Sequence, residues 1–311
     1  MSARSNVRLT FKATLNQVSV PATSANLGPG FDSFAIALDI RDQYAAAVLD
    51  EPGIDIDITG EGSETLKRDK SNLLYKAMHA GFDYMGQQPR GIAIRQLNNI
   101  PHGRGLGSSA AAIVGGLFLA RSLVLDGESL LNLENILQIA TELEGHPDNV
   151  CAAINGGAVL TFQNQSTNLY QGIKFEVNKA IHAICFVPEN ELSTSKARKL
   201  LPDQIPFSDA VSNSTNTALL ATALSSRPDL LFNATADYLH QQYRKSAYHS
   251  SYELMKFLRG AGVAATISGA GPAVLALLTD GHEDAEIIRS GESKFPGFSA
   301  RRVEISPQGA Y

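Results

Sequence analysis

The 311-residue sequence predicts two domains, each mixing strands with helices, and three observations carry that prediction. Short runs alternate apolar and polar residues, as in Ile54-Asp55-Ile56-Asp57-Ile58 and in residues 91–97, the period-two pattern of a sheet with one buried face. Between them lie segments with helix starts and stops, one opening after Ser71-Asn72 and one ending at Gly145. Near residue 165 the chain turns polar (Gln163-Asn164-Gln165-Ser166-Thr167-Asn168) and new strands follow, which predicts a boundary between residues 1–165 and 166–311.

Composition narrows the function classes. With 44% hydrophobic and 18% charged residues the chain reads as a soluble globular protein, and a net charge of -5 gives no reason to expect a nucleic-acid partner. No apolar run approaches a membrane span and residues 1–17 lack the apolar centre of a signal peptide, so a cytoplasmic protein without a membrane partner is expected. Cys151 and Cys185 sit in apolar surroundings without metal spacing and read as buried free thiols.

In chain order, residues 17–20 form a strand closed by Pro21, and Ala22 to Asp32, dense in Gly, Pro, Asn and Ser, reads as a loop carrying the polar side chains of Asn26 and Asp32. Strands follow at 34–38, 39–49 and 53–59. A helix opens at Leu73, capped by Ser71 or Asn72, and residues 91–97 lead as a strand into a glycine-rich loop. Ser108 to Ala120 reads as a buried helix and Ser129 to Glu144 as an amphipathic one. The second half gives strands at 171–177 and 180–187, a capped basic helix from Ser193 to Leu200, helices over 208–224 and 228–243, and a strand at 274–278. In the 228–243 helix and just beyond it, Asp237, His240 and Arg244 share one face.

Chemistry concentrates in two stretches. Pro101-His102-Gly103-Arg104-Gly105-Leu106-Gly107-Ser108-Ser109-Ala110-Ala111 sets three glycines on alternate positions ahead of two serines and a helix. Glycine lets the backbone take positive φ or approach a ligand closely, and the uncapped N–H groups and dipole of the helix favour an anion there. The spacing is neither a Walker A loop nor a dinucleotide fingerprint. Glu142-Leu143-Glu144-Gly145-His146-Pro147-Asp148-Asn149 then packs five polar groups against buried sequence; its carboxylates suit Mg²⁺ shared with phosphates, and a lone imidazole suits zinc less well. A second small-residue loop, Ser268-Gly269-Ala270-Gly271-Pro272, is placed to close over the ligand of the first.

Together with Pro21 to Asp32, these two glycine loops resemble the three motifs of the GHMP kinases, in that order and spanning nearly the whole chain. The Asn-Leu-Gly-Pro-Gly-Phe-Asp form of the first motif and the Glu-Gly-His-Pro-Asp-Asn segment resemble the homoserine kinase branch. The resemblance implies an α+β fold in two domains: an N-terminal β-α domain with a left-handed β-α-β unit that binds ATP, and a C-terminal ferredoxin-like domain. It implies Mg-dependent phosphorylation of the L-homoserine hydroxyl, a step of threonine biosynthesis, and is compatible with a homodimer. Residues 101–111, Gly269 and Gly271 would hold ATP, with Asn72 near the adenine. Ser109 and either Glu142 or Glu144 would hold Mg²⁺. Homoserine would contact Asn26, Asp32, His146, Asn149, Thr194, Arg198 and Arg244, its ammonium on Asp32 and its carboxylate on the two arginines.

Asn149 stands where mevalonate and galactose kinases carry an aspartate base. No dedicated side-chain base is therefore expected, catalysis falling to Asn149 and Arg198 through positioning, with Asp148 as the rival base. Ala273 ends the third motif where Ser or Thr is common. A kinase for another small alcohol, mevalonate or a sugar, and a non-catalytic member that binds a nucleotide or metabolite are the alternatives.

Overall fold

The computed structural model describes residues 8–192 and 194–311. Its first sheet is built on a long hairpin, β1 (Asn16–Asn26) and β2 (Gly30–Leu49), which continues through β3 (Gly53–Gly60), β4 (Gly91–Asn98), β5 (Ala158–Gln163) and β6 (Tyr170–Phe175). The order is β3-β4-β2-β5-β6 with β1 on β2, and β3 and β4 lie parallel because a helix, α1 (Leu73–Met85), carries the chain between them. Ala22 to Asp32 is not a loop. The small residues after Pro21 are buried and pair with β2, Pro21 is absorbed by a register shift, and only residues 27–29 turn, with positive φ at Asn26, Leu27 and Gly28.

Four helices cover the inner face of this sheet: α1, α2 (Ser108–Ser122), α4 (Leu133–Glu144) and α5 (Asp148–Asn155), with the single turn α3 (Gly127–Leu130) ahead of α4. Asn72 caps α1 by accepting from the Tyr75 N–H. The helix expected over 129–144 breaks at residues 131–132, because Asn132 turns its side chain back to cap the Asn135 N–H and restarts the helix. Helix α5 has no counterpart among the helices expected from the sequence: its eight residues, nearly all buried, show too little polar face for a helical period.

The polar stretch at 165 is the turn of the β5–β6 hairpin, so the change of sheet falls between Phe175 and Ile181. The second sheet holds β7 (Ile181–Pro188), β8 (Ala264–Ile267), β9 (Val274–Thr279) and β10 (Phe298–Val303) in the antiparallel order β10-β7-β9-β8. Connected through α6 (Thr194–Arg198), α7 (Phe207–Ser225), α8 (Leu231–Ala234), α9 (His249–Gly260) and α10 (Asp284–Lys294), it has the β-α-β-β-α-β plan of a ferredoxin-like domain. The helix expected over 228–243 is replaced by a 3₁₀ turn at Pro228–Leu230, α8 and a run of turns. Asp237 is the cause: its carboxylate takes the N–H groups of Leu239, His240 and Gln241, which pins a turn where the helix would continue.

After β10 the chain returns to the first sheet. Ser306 N donates to Ala37 O, Ala310 N to Ala153 O, and Tyr311 pairs with Ser19, while Arg41 holds Gln308 and Gly309 by their carbonyls. Both cysteines are buried and free, their thiols pushed up to about 12 by burial. No described helix is long and apolar enough to cross a membrane.

Helices α1 and α2 cross with almost no gap: a Cβ at Gly116 would stand 2.5 Å from Leu74 O and 2.8 Å from Ala77 Cβ. Gly116→Ala is predicted to cost about 1–3 kcal/mol through overpacking, read as a lower urea midpoint at unchanged m-value. An unchanged midpoint would mean that the helices separate freely.

Candidate active site

One cleft between the two sheets collects residues from all three motifs, the 144–149 corner, Arg198 and Arg244. Its floor is the loop of Gly103, Gly105 and Gly107, all at positive φ (65°, 78° and 70°), and the start of α2. No side chain caps that helix, so its first N–H groups are left to the cleft, where an anion can take them. Beside them Ser109 Oγ donates to Glu144 Oε1 at 2.7 Å. A hydroxyl and a carboxylate next to an anion cradle are hard oxygen donors that fit Mg²⁺ completed by phosphates, and among the described residues no three His, Cys, Asp or Glu form a self-sufficient metal cage. Glu142 is exposed and lies outside the cleft. Burial is the main cause that raises the Glu144 pKa, and the Asp148 charge adds to it.

The opposite wall is cationic. Arg198 forks onto Asp32 with two hydrogen bonds of 2.8 Å, which raises the Arg198 pKa. Arg244 is 2% exposed and its Nε has no partner. The Phe31 ring lies 5.3 Å from the Arg198 guanidinium, 4.9 Å from that of Arg244 and 5.2 Å from His240, so two like charges share one aromatic ring. His240 Nε2–H donates to Gly28 O at 2.9 Å, and burial, the largest cause, lowers the pKa of its ring. The expected grouping of Asp237, His240 and Arg244 therefore exists without the helix that was to produce it.

The polar corner at the start of α5 joins the two walls. Asp148, 2% exposed at its side chain, accepts from the Asn149 N–H at 2.7 Å and lies 3.0 Å from His146 Nδ1. Asn149 Nδ2 leans toward the same carboxylate oxygen at 3.5 Å, and Asn149 Oδ1 accepts from Thr23 Oγ1 at 2.8 Å. Burial works against a proton on His146, but the hydrogen bond and charge of Asp148, with Glu144 and Asp32 behind it, outweigh that and raise its pKa.

Several expected side chains lie elsewhere. Arg104 does not line the cleft; its guanidinium donates to the carbonyls of His102, Pro188 and Glu189 and to Glu191. Leu106, Ala110 and Ala111 are buried in the core, and Pro101 and His102 line neighbouring hollows. The Asn72 amide is spent on Tyr75, Lys67 and Gln96. Asn26 lines the cleft, yet both ends of its amide hold protein, Nδ2 donating to Gly269 O and Oδ1 accepting from Asp32 N. Gly269 faces the cleft, whereas Gly271 packs behind it on Tyr248. The Thr194 side chain lies outside the described residues. Thr23 and Phe31 were not singled out; both stand inside the first motif, but an apolar ring and one hydroxyl in a strand carry no chemical pattern of their own.

Family models agree with this geometry. The GHMP kinases N-terminal domain matches residues 72–157 and the GHMP kinases C-terminal model matches residues 216–297. The homoserine kinases of Streptomyces avermitilis and Streptomyces coelicolor are each 45% identical over 300 residues, covering 96% of this chain and 96% and 95% of theirs. The crystal structure of homoserine kinase from Cytophaga hutchinsonii superimposes with a TM-score of 0.82 at 27% identity, over 98% of this chain and 99% of that one.

The His146–Asp148 contact predicts a titration. A raised histidine pKa contributes stability that is fully present below the unfolded value of about 6.5 and is lost as pH rises through the folded one. In a proton NMR titration, His146 is expected to titrate above the ordinary imidazole value, and Asp148→Asn to bring it down. An identical His146 titration in that variant would remove Asp148 as the cause.

Proposed function

The chain belongs to the homoserine kinases of the GHMP kinase superfamily, and on that premise we propose that it transfers the γ-phosphoryl group of ATP to the side-chain hydroxyl of L-homoserine. The observation that carries the substrate is the pairing of Asp32 with Arg198 beside the buried Arg244, whose Nε has no partner. A carboxylate and two guanidiniums at one cleft match the ammonium and carboxylate of an amino acid, and a neutral alcohol or sugar would offer the buried Arg244 no anion. The substrate takes over both halves of an ion pair that the protein makes with itself, so the cleft favours a zwitterion over either single charge.

The chain's own groups divide the work. The N–H groups at the start of α2 and the backbone of Gly103, Gly105 and Gly107 hold the phosphates. Ser109 and Glu144 hold Mg²⁺, which when bound neutralises charge on the transferring phosphoryl group. Glu144, rather than Glu142, supplies the carboxylate because it is the one beside Ser109. Asn149 Nδ2, with Oδ1 fixed by Thr23, orients the acceptor hydroxyl, and Arg198 sits close enough to Asp32 to act on both charge and position. Asp148 is the anchor of the corner: His146 and the Asn149 N–H converge on its Oδ1, which fits support of the loop better than proton abstraction. A loose transition state needs little help from a base.

Purified protein is expected to release ADP from Mg-ATP only when L-homoserine is supplied, yielding O-phospho-L-homoserine; turnover of mevalonate or galactose instead would overturn the assignment. The same assay separates the two neighbours. Asn149→Ala is expected to lower kcat by roughly 10² without adding or removing an ionisation, while folded Asp148→Asn keeps most of it. A nearly inactive, stably folded Asp148→Asn beside a normal Asn149→Ala would make Asp148 the base.

A further inference from the structure

The cleft must hold a phosphate and an alcohol at a fixed separation, and one buried side chain touches both halves of that requirement. Thr23 lies in β1, is fully buried, and pairs with Ala37 of the central strand β2. Its N–H donates to Leu106 O at 3.0 Å, inside the glycine loop. Its hydroxyl sits directly under the first turn of α2: a Cβ at Gly107 would lie 1.9 Å from Thr23 Oγ1, so glycine at 107 is required by the threonine as well as by its own φ of 70°. The same hydroxyl donates to Asn149 Oδ1 at 2.8 Å.

The direction of that last bond follows from chemistry. Asp148 Oδ1 already accepts from the Asn149 N–H at 2.7 Å, so the Asn149 side-chain atom facing it is the NH₂ group and the atom facing Thr23 is the carbonyl oxygen. An amide turned by half a circle would set its oxygen against the Asp148 carboxylate. With Oδ1 held by Thr23, the Asn149 NH₂ group has a hydrogen free for the cleft that Asn149 lines.

From these contacts we propose that Thr23 is a positioning residue for phosphoryl transfer: it fixes the rotamer of the Asn149 amide and ties it, through a single rigid strand position, to the loop that cradles the phosphates. This rests on the reading in which Asn149 orients the acceptor hydroxyl. Misplacement of about 1 Å can cost up to 10²-fold in rate, so the effect belongs in kcat.

The test uses Thr23→Val, which keeps shape and removes the donor, with Thr23→Ser as the rescue. Thr23→Val is expected to lower kcat about 10- to 100-fold with KM for homoserine and for ATP each within about twofold, and Thr23→Ser to restore kcat to within about threefold. The Thr23→Val, Asn149→Ala double variant is expected to be no slower than Asn149→Ala alone, since the two act as one unit. An unchanged kcat in Thr23→Val, a parallel rise of both KM values, or effects that multiply in the double variant would overturn the proposal. A readout independent of the substrate accompanies it: Thr23→Val is expected to speed hydrogen exchange of the Asn149 side-chain NH₂ by NMR. Unchanged exchange overturns the proposal, whereas a wild-type protein idle with homoserine overturns only the substrate assignment.

Discussion

The cleft exists because two glycine loops from different sheets touch backbone to backbone. Ser268 Oγ donates to Gly105 O at 2.6 Å, Ala273 N donates to Arg104 O at 3.0 Å, and a Cβ at Gly105 would stand 2.4 Å from Ser268 O. At that range no side chain fits, so the separation of the sheets is set by main-chain atoms, the least adjustable part of a protein. The first motif joins the same lacing, through Gly269 N to Ala25 O and through the Ser24–Ser268 hydroxyl pair. Arg104, turned outward, binds the end of β7 to the loop from the other side. Each wall of the cleft is thereby referred to one frame.

Within that frame the electrostatics are arranged by contact with neutral groups. Arg198 and Arg244 would repel across a few ångströms, and Arg244 carries a lowered pKa for that reason after burial. Phe31 offers both a π face, Asp32 neutralises one of them, and burial lowers the pKa of His240 beside them. The arrangement keeps one uncompensated guanidinium, Arg244, in the cleft of a protein whose net charge is -5. Such local fields act over about a Debye length and draw an anionic ligand group in without making the whole surface basic.

Much of this was legible in the sequence, for reasons that differ by residue. The glycine loop and the buried helix after it announce themselves, because positive φ and an all-apolar helix have few alternatives to Gly and to Ala, Leu, Ile and Val. The strand Ile54 to Ile58 follows from alternation, and the shared position of His240 and Arg244 from spacing, although turns pinned by Asp237 do the work expected of a helix. The β1–β2 hairpin was hidden because Pro21, Gly28 and Pro29 read as loop punctuation while the pairing partner that absorbs them lies as far on as residue 41. Arg104 stands in the loop expected to hold the phosphates; apart from the His102 carbonyl its acceptors lie 84 residues or more along the chain, at Pro188, Glu189 and Glu191, beyond what a local pattern can reach. Glu142 and Glu144 are chemically alike in sequence, and only the direction of the last turn of α4 tells them apart.

The return of residues 304–311 to the first sheet has a bearing on how the molecule is made. Backbone at Gln308 and Gly309 packs so tightly on residues 154–156 that a Cβ at Gly156 would meet Gln308 C at 2.3 Å and one at Gly309 would meet Ile154 O at 2.0 Å. Those residues leave the ribosome after every strand and helix of the second sheet. The N-terminal sheet therefore cannot reach its final packing while its own residues are being synthesised, and must wait, incompletely covered at the α5 end, for contacts roughly 150 residues downstream in a topology of high contact order. Nascent chains long enough to contain β1 to β6 but shorter than this return would leave the C-terminal end of α5 uncovered.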